Sequence, residues 1–149
     1  MTYPDTSFLC ALYIAQSTSA KALRFMSRQP TALAGTSLLF YEFRQSVQFQ
    51  VFRHTKDVTQ GYGATTAQAA LSTLQANLAV GVFQTPQVDW ADVHRLAERL
   101  AFQYTARWGH RSFDVLHVAT ALHLGASEFL TFDANQKKLA ETEGLVVPV

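Results

Sequence analysis

Four acidic side chains occupy positions where a carboxylate is unexpected, at element boundaries or inside an apolar helix. They are Asp5, Glu42, Asp114 and Asp133, and they belong to a chain of 149 residues that has only 11 acids. Hard divalent cations such as Mg²⁺ take oxygen ligands, and a cluster of carboxylates without histidine or cysteine suits them. If the four side chains converge in space, we expect them to form a metal site.

Glu42 is the least expected of the four acids because its neighbours are apolar. LLFY precedes it and Phe43 follows it, so the carboxylate of this predicted helix should be partly removed from water. An unpaired buried charge is strongly unfavourable. Helical spacing directs Arg44 and Arg53 elsewhere, so a cation shared with other carboxylates would supply the missing counter-charge.

The other three acids also have ordinary structural explanations, and these stay open. Aspartate is favoured at helix N-caps, and an acid in a first helical turn complements the helix dipole. Asp5 could cap the helix that follows it. From Asp133 the sequence DANQ has the pattern of a capping box closed by Gln136. Asp114 comes two residues after the predicted cap Ser112.

Short apolar strands and helical segments alternate along the chain. We predict strands at residues 2–4, 32–34, 82–84 and in the segments EFLTF and LVV. The predicted helices are SFLCALYIA, Ser19–Arg28, a long helix from a cap at Thr36 or Ser37 to about Arg53, Ala64–Val80, a helix capped by Asp89 and closed by Gly109, Ser112–Leu124, and ANQKKLAETE. Parallel neighbouring strands need such crossovers, so the predicted fold class is α/β. Functional crevices open at the carboxyl ends of such strands, where Asp5 and Asp133 lie.

Composition indicates a single soluble domain that has a partner. Charged residues make up 15% of the chain, against roughly 25% in average soluble domains, so we expect part of the surface to be covered. The net charge is +1, and setting the four acids aside leaves a basic remainder that suits a polyanionic substrate. A lone cysteine, Cys10, the lack of a signal-peptide pattern and the lack of a sustained apolar span predict a cytoplasmic protein without membrane contact.

Three segments of the chain resemble the PIN-domain nucleases, and in particular the VapC-like toxins of bacterial toxin–antitoxin pairs. They are YPDTSFLCALY, LLFYEFRQSV and RSFDVLHVATALHLGASEFLTFDANQKKLAETEGLVVPV. The third is the most specific, because an acid opening a small-residue helix, a glycine, a short strand, TFD, a helix and GLVV follow in the family's order. The resemblance covers nearly the whole chain. It implies one PIN domain at residues 1–149, with a short central parallel sheet flanked by helices.

By position, four residues match the acidic quartet of that family: Asp5, Glu42, Asp114 and Asp133. The resemblance implies that Asp5 and Asp114 hold the principal ion, Mg²⁺ or Mn²⁺. Glu42 and Asp133 would complete the site directly or through water, or help to hold a second ion. Three residues match family hydroxyls that would orient ligands or bind phosphate oxygens: Thr6, Ser7 and Thr131.

The activity implied by the resemblance is metal-dependent hydrolysis of RNA phosphodiester bonds by a homodimeric toxin with a cognate antitoxin. Two other interpretations stay open. The chain could be a PIN-like binding module that docks RNA or a protein without cleaving it, or a plain α/β domain whose acids are all helix caps. Metal-dependent cleavage that is lost on mutating Asp5 would separate the enzyme from the module.

The remaining candidate residues favour structural roles. The five histidines lack ligand spacing, since His117 and His123 are six residues apart on one helix. Trp90 and Trp108 are expected to pack in the fold. Three cations share a helix face that is either solvated or contacts RNA backbone or an acidic partner: Lys21, Arg24 and Arg28.

Overall fold

The computed structural model describes residues 1–149 and contains four short strands. They are β1 (Thr2–Pro4), β2 (Leu33–Ala34), β3 (Phe83–Gln84) and β4 (Glu128–Leu130). β1 pairs in parallel with β4, placing Tyr3 opposite Phe129, and β2 pairs in parallel with β3. Of the predicted LVV strand only one parallel bridge forms, between Val146 and Glu128. The predicted α/β class with parallel strands is confirmed.

Helices connect the strands and form most of the molecule. They are α1 (Thr6–Tyr13), α2 (Ser19–Met26), α3 (Ser37–Lys56), α4 (Ala64–Ala79), α5 (Trp90–Leu100), α6 (Ala106–Trp108), α7 (Ser112–His123) and α8 (Ala134–Thr142). A π-helical segment, Ala101–Thr105, joins α5 to α6. None of the helices combines the length and apolarity that crossing a bilayer requires.

Local sequence explains where several helices begin. The Asp89 carboxylate accepts hydrogen bonds from the N–H groups of Ala91 and Asp92 and so caps α5, as predicted. Thr36 caps α3 by accepting from Leu39 N–H. Each capped helix then buries residues three or four positions apart, because this spacing places side chains on one face.

Two apolar clusters lie on either side of the strands. The first joins α1, α3 and α4 around residues that include Phe8, Phe43 and Leu74. The second joins α5, α7 and α8 around residues that include Val93, Val118, Phe129 and Leu139. β4 contributes to both clusters, through Leu130 to the first and Phe129 to the second, and β1 contributes Tyr3 to the second. The carboxyl ends of these two strands are thereby held in a fixed position.

Candidate active site

Asp5 lies at the carboxyl end of β1, where that strand meets the end of β4. Its backbone N–H donates to the Leu130 carbonyl at 2.9 Å. One carboxylate oxygen accepts from Phe8 N–H at 2.9 Å and from the Ser7 hydroxyl at 2.7 Å, and the other accepts from the Thr131 hydroxyl at 2.7 Å. Asp5 therefore caps α1 and also faces the residues that follow β4.

The Asp5 carboxylate is only 1% exposed. Burial raises its pKa, and the hydrogen bonds from Thr131, Phe8 and Ser7 offset that rise only in part. Repulsion among clustered acids would raise at least one of their pKa values, and a raised pKa is found here. Its cause, however, is removal from water.

Glu42 has a protein partner that the sequence did not reveal. Nε2 of His117 lies 2.5 Å from the carboxylate, and the Thr6 hydroxyl donates to the same oxygen. Burial would raise the pKa of Glu42, but the bonds from His117 and Thr6 outweigh it and lower the pKa. Glu42 therefore has hydrogen-bond partners within the protein that the sequence analysis did not include, and the shared cation stays a prediction.

His117 is fully buried and connects Glu42 to the sheet. Its Nδ1 lies 2.9 Å from the Tyr3 hydroxyl, on β1. Because an ionised carboxylate only accepts hydrogen bonds, Nε2 donates to Glu42. A sequence signal for this residue existed: His117 follows Asp114 by three positions, which places both on one face of α7. A role in packing alone is too narrow a description of this histidine.

Asp114 lies in the first turn of α7 and is 6% exposed. It accepts hydrogen bonds from Arg111 N–H and Nε, each at 3.1 Å, and from Gln136 Nε2 at 3.1 Å. Burial would raise the pKa of Asp114, but the bonds from Gln136 and Arg111 lower it. The predicted cap Ser112 is wrong, because Arg111 occupies the N-cap position and Ser112 begins the helix.

Asp133 caps α8, accepting from the N–H groups of Asn135 at 2.8 Å and Gln136 at 2.9 Å. Its other oxygen lies 3.7 Å from Arg111 Nη2. The predicted reciprocal capping box is wrong, since the Gln136 side chain turns away to donate to Asp114. α8 is thereby attached to α7 through a carboxylate of the site.

Three hydroxyl side chains donate hydrogen bonds to carboxylates of the site. Two of them follow Asp5 in the chain, and the third lies two residues before Asp133. Ser7 and Thr131 donate to Asp5, and Thr6 donates to Glu42. Thr131 also accepts from Asp133 N–H at 3.0 Å, so it connects the first and last acids. These contacts fix the orientation of carboxylates.

Arg111 lies near three of the four acids. Its hydrogen bond to Asp114, and the nearby charges of Asp133 and Glu42, raise its pKa. Asp5 lies near Glu42, because the charges of both acids act on the Tyr3 hydroxyl and Thr6, the residue after Asp5, donates to Glu42. No role was predicted for Arg111 from the sequence. Its position three residues before Asp114 was the signal that could have linked the two side chains.

The donor set suits a hard cation because the four side chains offer only oxygen. No three histidine, cysteine or carboxylate side chains are arranged here to hold one ion. The guanidinium of Arg111 lies instead against Asp114 and Asp133. Since that side chain is 78% exposed, it can move into solvent, and a cation bound by these acids would have to displace it.

The model of the PIN domain family matches residues 2–142 of this chain. The chain therefore belongs to the PIN domain family, and its fold is the PIN fold. No curated protein sequence matches it significantly.

Two solved structures are similar to it in fold. VapC20 of Mycobacterium tuberculosis, described as a sarcin-ricin loop cleaving toxin, is 17% identical with a TM-score of 0.70, over 98% of this chain and 97% of that one. FitAcB from Neisseria gonorrhoeae is 14% identical with a TM-score of 0.63, over 99% of this chain and 96% of that one.

Proposed function

We propose that the protein is a divalent-metal-dependent endoribonuclease, and that it is the toxin of a toxin–antitoxin pair. The observation that carries this proposal is the placement of Asp114, Asp133 and Glu42 around Arg111, with Asp5 at the joined ends of β1 and β4. The toxin activity described for VapC20 supports it, as does the family resemblance of the sequence. RNA phosphodiesters are the substrate, Mg²⁺ or Mn²⁺ is the cofactor, and the cytoplasm is the compartment.

Asp5 and Asp114 would hold the principal ion, and Glu42 and Asp133 would complete the site directly or through water. Such an ion supplies Lewis-acid chemistry when bound, activating water and stabilising charge on the phosphate. Thr131 and Ser7 hold the Asp5 carboxylate in place, and His117 holds that of Glu42. Each carboxylate oxygen has two lone pairs, so these bonds leave Asp5 able to coordinate a cation.

The experiment that tests the activity is incubation of purified protein with a mixed single-stranded RNA. We expect cleavage with Mg²⁺ or Mn²⁺ and none with EDTA. A second candidate function is a binding module that does not cleave. It is favoured by Arg111, whose guanidinium already neutralises part of the charge of the site. RNA binding without cleavage under every metal condition would support the module and overturn the proposed activity.

Metal binding is expected to stabilise the fold, and Arg111 is expected to weaken that binding. Millimolar Mn²⁺ should raise the melting temperature, because a ligand that binds only the folded state stabilises it. In Arg111→Gln the affinity for Mn²⁺ should increase about tenfold, or about 1.4 kcal/mol, since two carboxylates lose a competing cation. Calorimetry and thermal melts measure both effects.

Asp114→Asn is the matched loss-of-site control for the metal titration, and its melting temperature should not respond to Mn²⁺. If wild type also shows no response to millimolar Mn²⁺ or Mg²⁺, the shared metal site is excluded. If Arg111→Gln binds Mn²⁺ more weakly than wild type, Arg111 assists the metal and does not compete with it.

A basic surface on α2 and the turn that follows it suits an RNA backbone. Lys21, Arg24 and Arg28 line a cavity of about 470 Å³ on α2, together with Phe25. None of the three cations belongs to an ion pair. Phe25 packs edge-on against Phe8, which stacks on Phe132, the residue before Asp133.

Replacing these three cations by glutamine is expected to weaken RNA binding without changing the fold. The slope of log affinity against log salt should fall by about 0.7 for each phosphate that the variant no longer neutralises. Fluorescence anisotropy in EDTA with a labelled single-stranded RNA measures it. Arg95→Gln is the control, because Arg95 lies on α5 and pairs with Asp92. An unchanged slope in the triple variant would exclude this surface as the RNA path.

The homodimer and the antitoxin partner are also part of the proposal. α3 exposes three aromatic side chains, Tyr41, Phe49 and Phe52, with Phe49 stacked on Phe52. Such exposed apolar area is commonly covered by another protein. It supports a protein contact on α3 in addition to the RNA contact on α2.

A further inference from the structure

A cleft of about 270 Å³ adjoins the acidic site. It lies between α5, with the π-helical segment that extends it, and the start of α7. Val115 and Leu116 contribute apolar wall, and Arg111 lines the cleft while bonding Asp114. Because Arg111 belongs to both the cleft and the acidic site, a molecule in the cleft would be adjacent to the carboxylates.

Two polar side chains that line this cleft have buried polar atoms without a hydrogen-bond partner. They are His110, with both ring nitrogens unpaired, and Thr105, with its hydroxyl unpaired. His110 is only 6% exposed. Buried polar groups are paired in the great majority of cases, and an unpaired one is destabilising. A ligand that supplies the missing partners would explain why both persist at one place.

The backbone around the two residues is also irregular. Thr105 is the last residue of the π-helical segment, and Gly109 adopts a left-handed conformation with φ of 70° just before His110. π-Helical turns are rare and occur frequently at functional sites. The Trp108 ring meets the His110 ring edge-on, with centroids 5.8 Å apart.

We propose that this cleft binds a nucleobase of the RNA next to the bond that is cut, with His110 and Thr105 as its hydrogen-bonding partners. The proposal rests on the proposed RNA cleavage for its class of substrate. A neutral imidazole offers one donor and one acceptor, and a hydroxyl offers both, which complements the edge of a base. Proteins recognise unstacked bases of single-stranded RNA through such contacts.

The size and charge of the cleft favour a base over other ligands. Its volume is just below the roughly 300 Å³ at which small-molecule sites begin, so it suits a single ring system. Burial lowers the pKa of His110, although the charges of Asp114 and Asp133 oppose this, so burial disfavours the charged imidazolium that would attract phosphate. Because neither nitrogen is exposed, the imidazole must turn about its Cβ–Cγ bond to meet the base.

Nucleotide titrations in EDTA test the cleft without any cleavage. The ligands are AMP, GMP, CMP and UMP, with ribose 5-phosphate as the control that lacks a base. We expect at least one nucleotide to shift the NMR signals of the His110 ring, and ribose 5-phosphate not to shift them. His110→Phe and Thr105→Val should each bind that nucleotide up to about tenfold more weakly, the effect of removing one hydrogen bond.

Equal nucleotide affinities in wild type and both variants would overturn the proposal, as would an absence of His110 shifts. Thr105→Val is nearly isosteric, so it keeps the test valid if His110→Phe does not fold. Failure of the proposed nuclease activity would be seen separately, as an absence of cleavage by wild type. The titrations would still report on the cleft in that case.

Mapping of cleavage ends in a randomised RNA is the second test. Wild type should prefer one base beside the cut, and His110→Phe should lose that preference. Arg95→Gln changes an exposed residue of α5 that does not line the cleft and should keep the preference. An identical base profile in all three proteins would overturn the proposal.

Discussion

Asp114→Asn and Asp5→Asn should each abolish RNA cleavage while leaving the fold intact. Asparagine keeps the shape of the side chain but removes the charge that a divalent cation needs. Loss of a single charge-stabilising group at an active site lowers the rate by about 10² to 10³, and loss of a metal ligand should lower it at least as much. Cleavage of a labelled RNA with Mn²⁺ measures this, and circular dichroism verifies the fold.

The same two substitutions should change stability in opposite directions when metal is removed by EDTA. The pKa of Asp5 is raised by burial, so its ionised form destabilises the fold and Asp5→Asn should raise the melting temperature. The pKa of Asp114 is lowered, because hydrogen bonds from Gln136 and Arg111 outweigh burial, so Asp114→Asn should lower the melting temperature. Each kcal/mol corresponds to about 2–4 °C for a chain of this size.

The pH dependence follows from these pKa directions. For Asp5, the penalty of the buried charge appears as pH rises through the unfolded value and is complete above the raised folded value. The gain in stability that Asp5→Asn produces should therefore be largest near neutral pH and disappear in acid. For Asp114, the stabilisation is present above the unfolded value and is lost as pH falls through the lowered folded value.

Glu141→Gln is the matched control for both variants. Glu141 is an exposed carboxylate on α8 whose ion pair is with Lys137, at 3.8 Å. We expect its cleavage and melting temperature to match wild type, since exposed pairs contribute little. Full activity in either Asp5→Asn or Asp114→Asn would exclude the metal-ligand assignment of that residue.

His117→Ala should produce the largest loss of stability among the substitutions considered. The ring is fully buried and bonds both Tyr3 and Glu42. Its removal leaves a cavity and deprives a half-buried carboxylate of one of its two partners. Each of these changes costs about 2 kcal/mol or more in comparable cases. We expect a total loss of at least about 3 kcal/mol, measured by chemical denaturation.

His94→Ala is the control for His117, because His94 is exposed on α5. Exposed substitutions usually change stability by less than about 0.5 kcal/mol. His117→Gln retains a donor for Glu42 and should recover part of the loss. If His117→Ala and His94→Ala unfold at the same denaturant concentration, the connection from Tyr3 through His117 to Glu42 does not stabilise the fold.

The order and class of the elements were predictable from the sequence because their causes are local. Apolar spacing predicted α5, and the caps Asp89 and Thr36 are confirmed by their own hydrogen bonds. Strand boundaries were less predictable, since the LVV segment makes a single bridge. The pairing of a β-strand depends on its partner strand, and no local sequence pattern specifies how many residues pair.

The four acids of the candidate site were predicted from the sequence alone, as was the position of Asp5 and Asp133 after strands. What each carboxylate contacts became visible only in the folded chain. Glu42 meets His117 across 75 positions of sequence, and the Asp114 partner Gln136 comes from the next helix. Short-range patterns fix helices and caps because the interacting groups are a few residues apart. The charge balance of the site depends on side chains that approach each other only when the chain has folded.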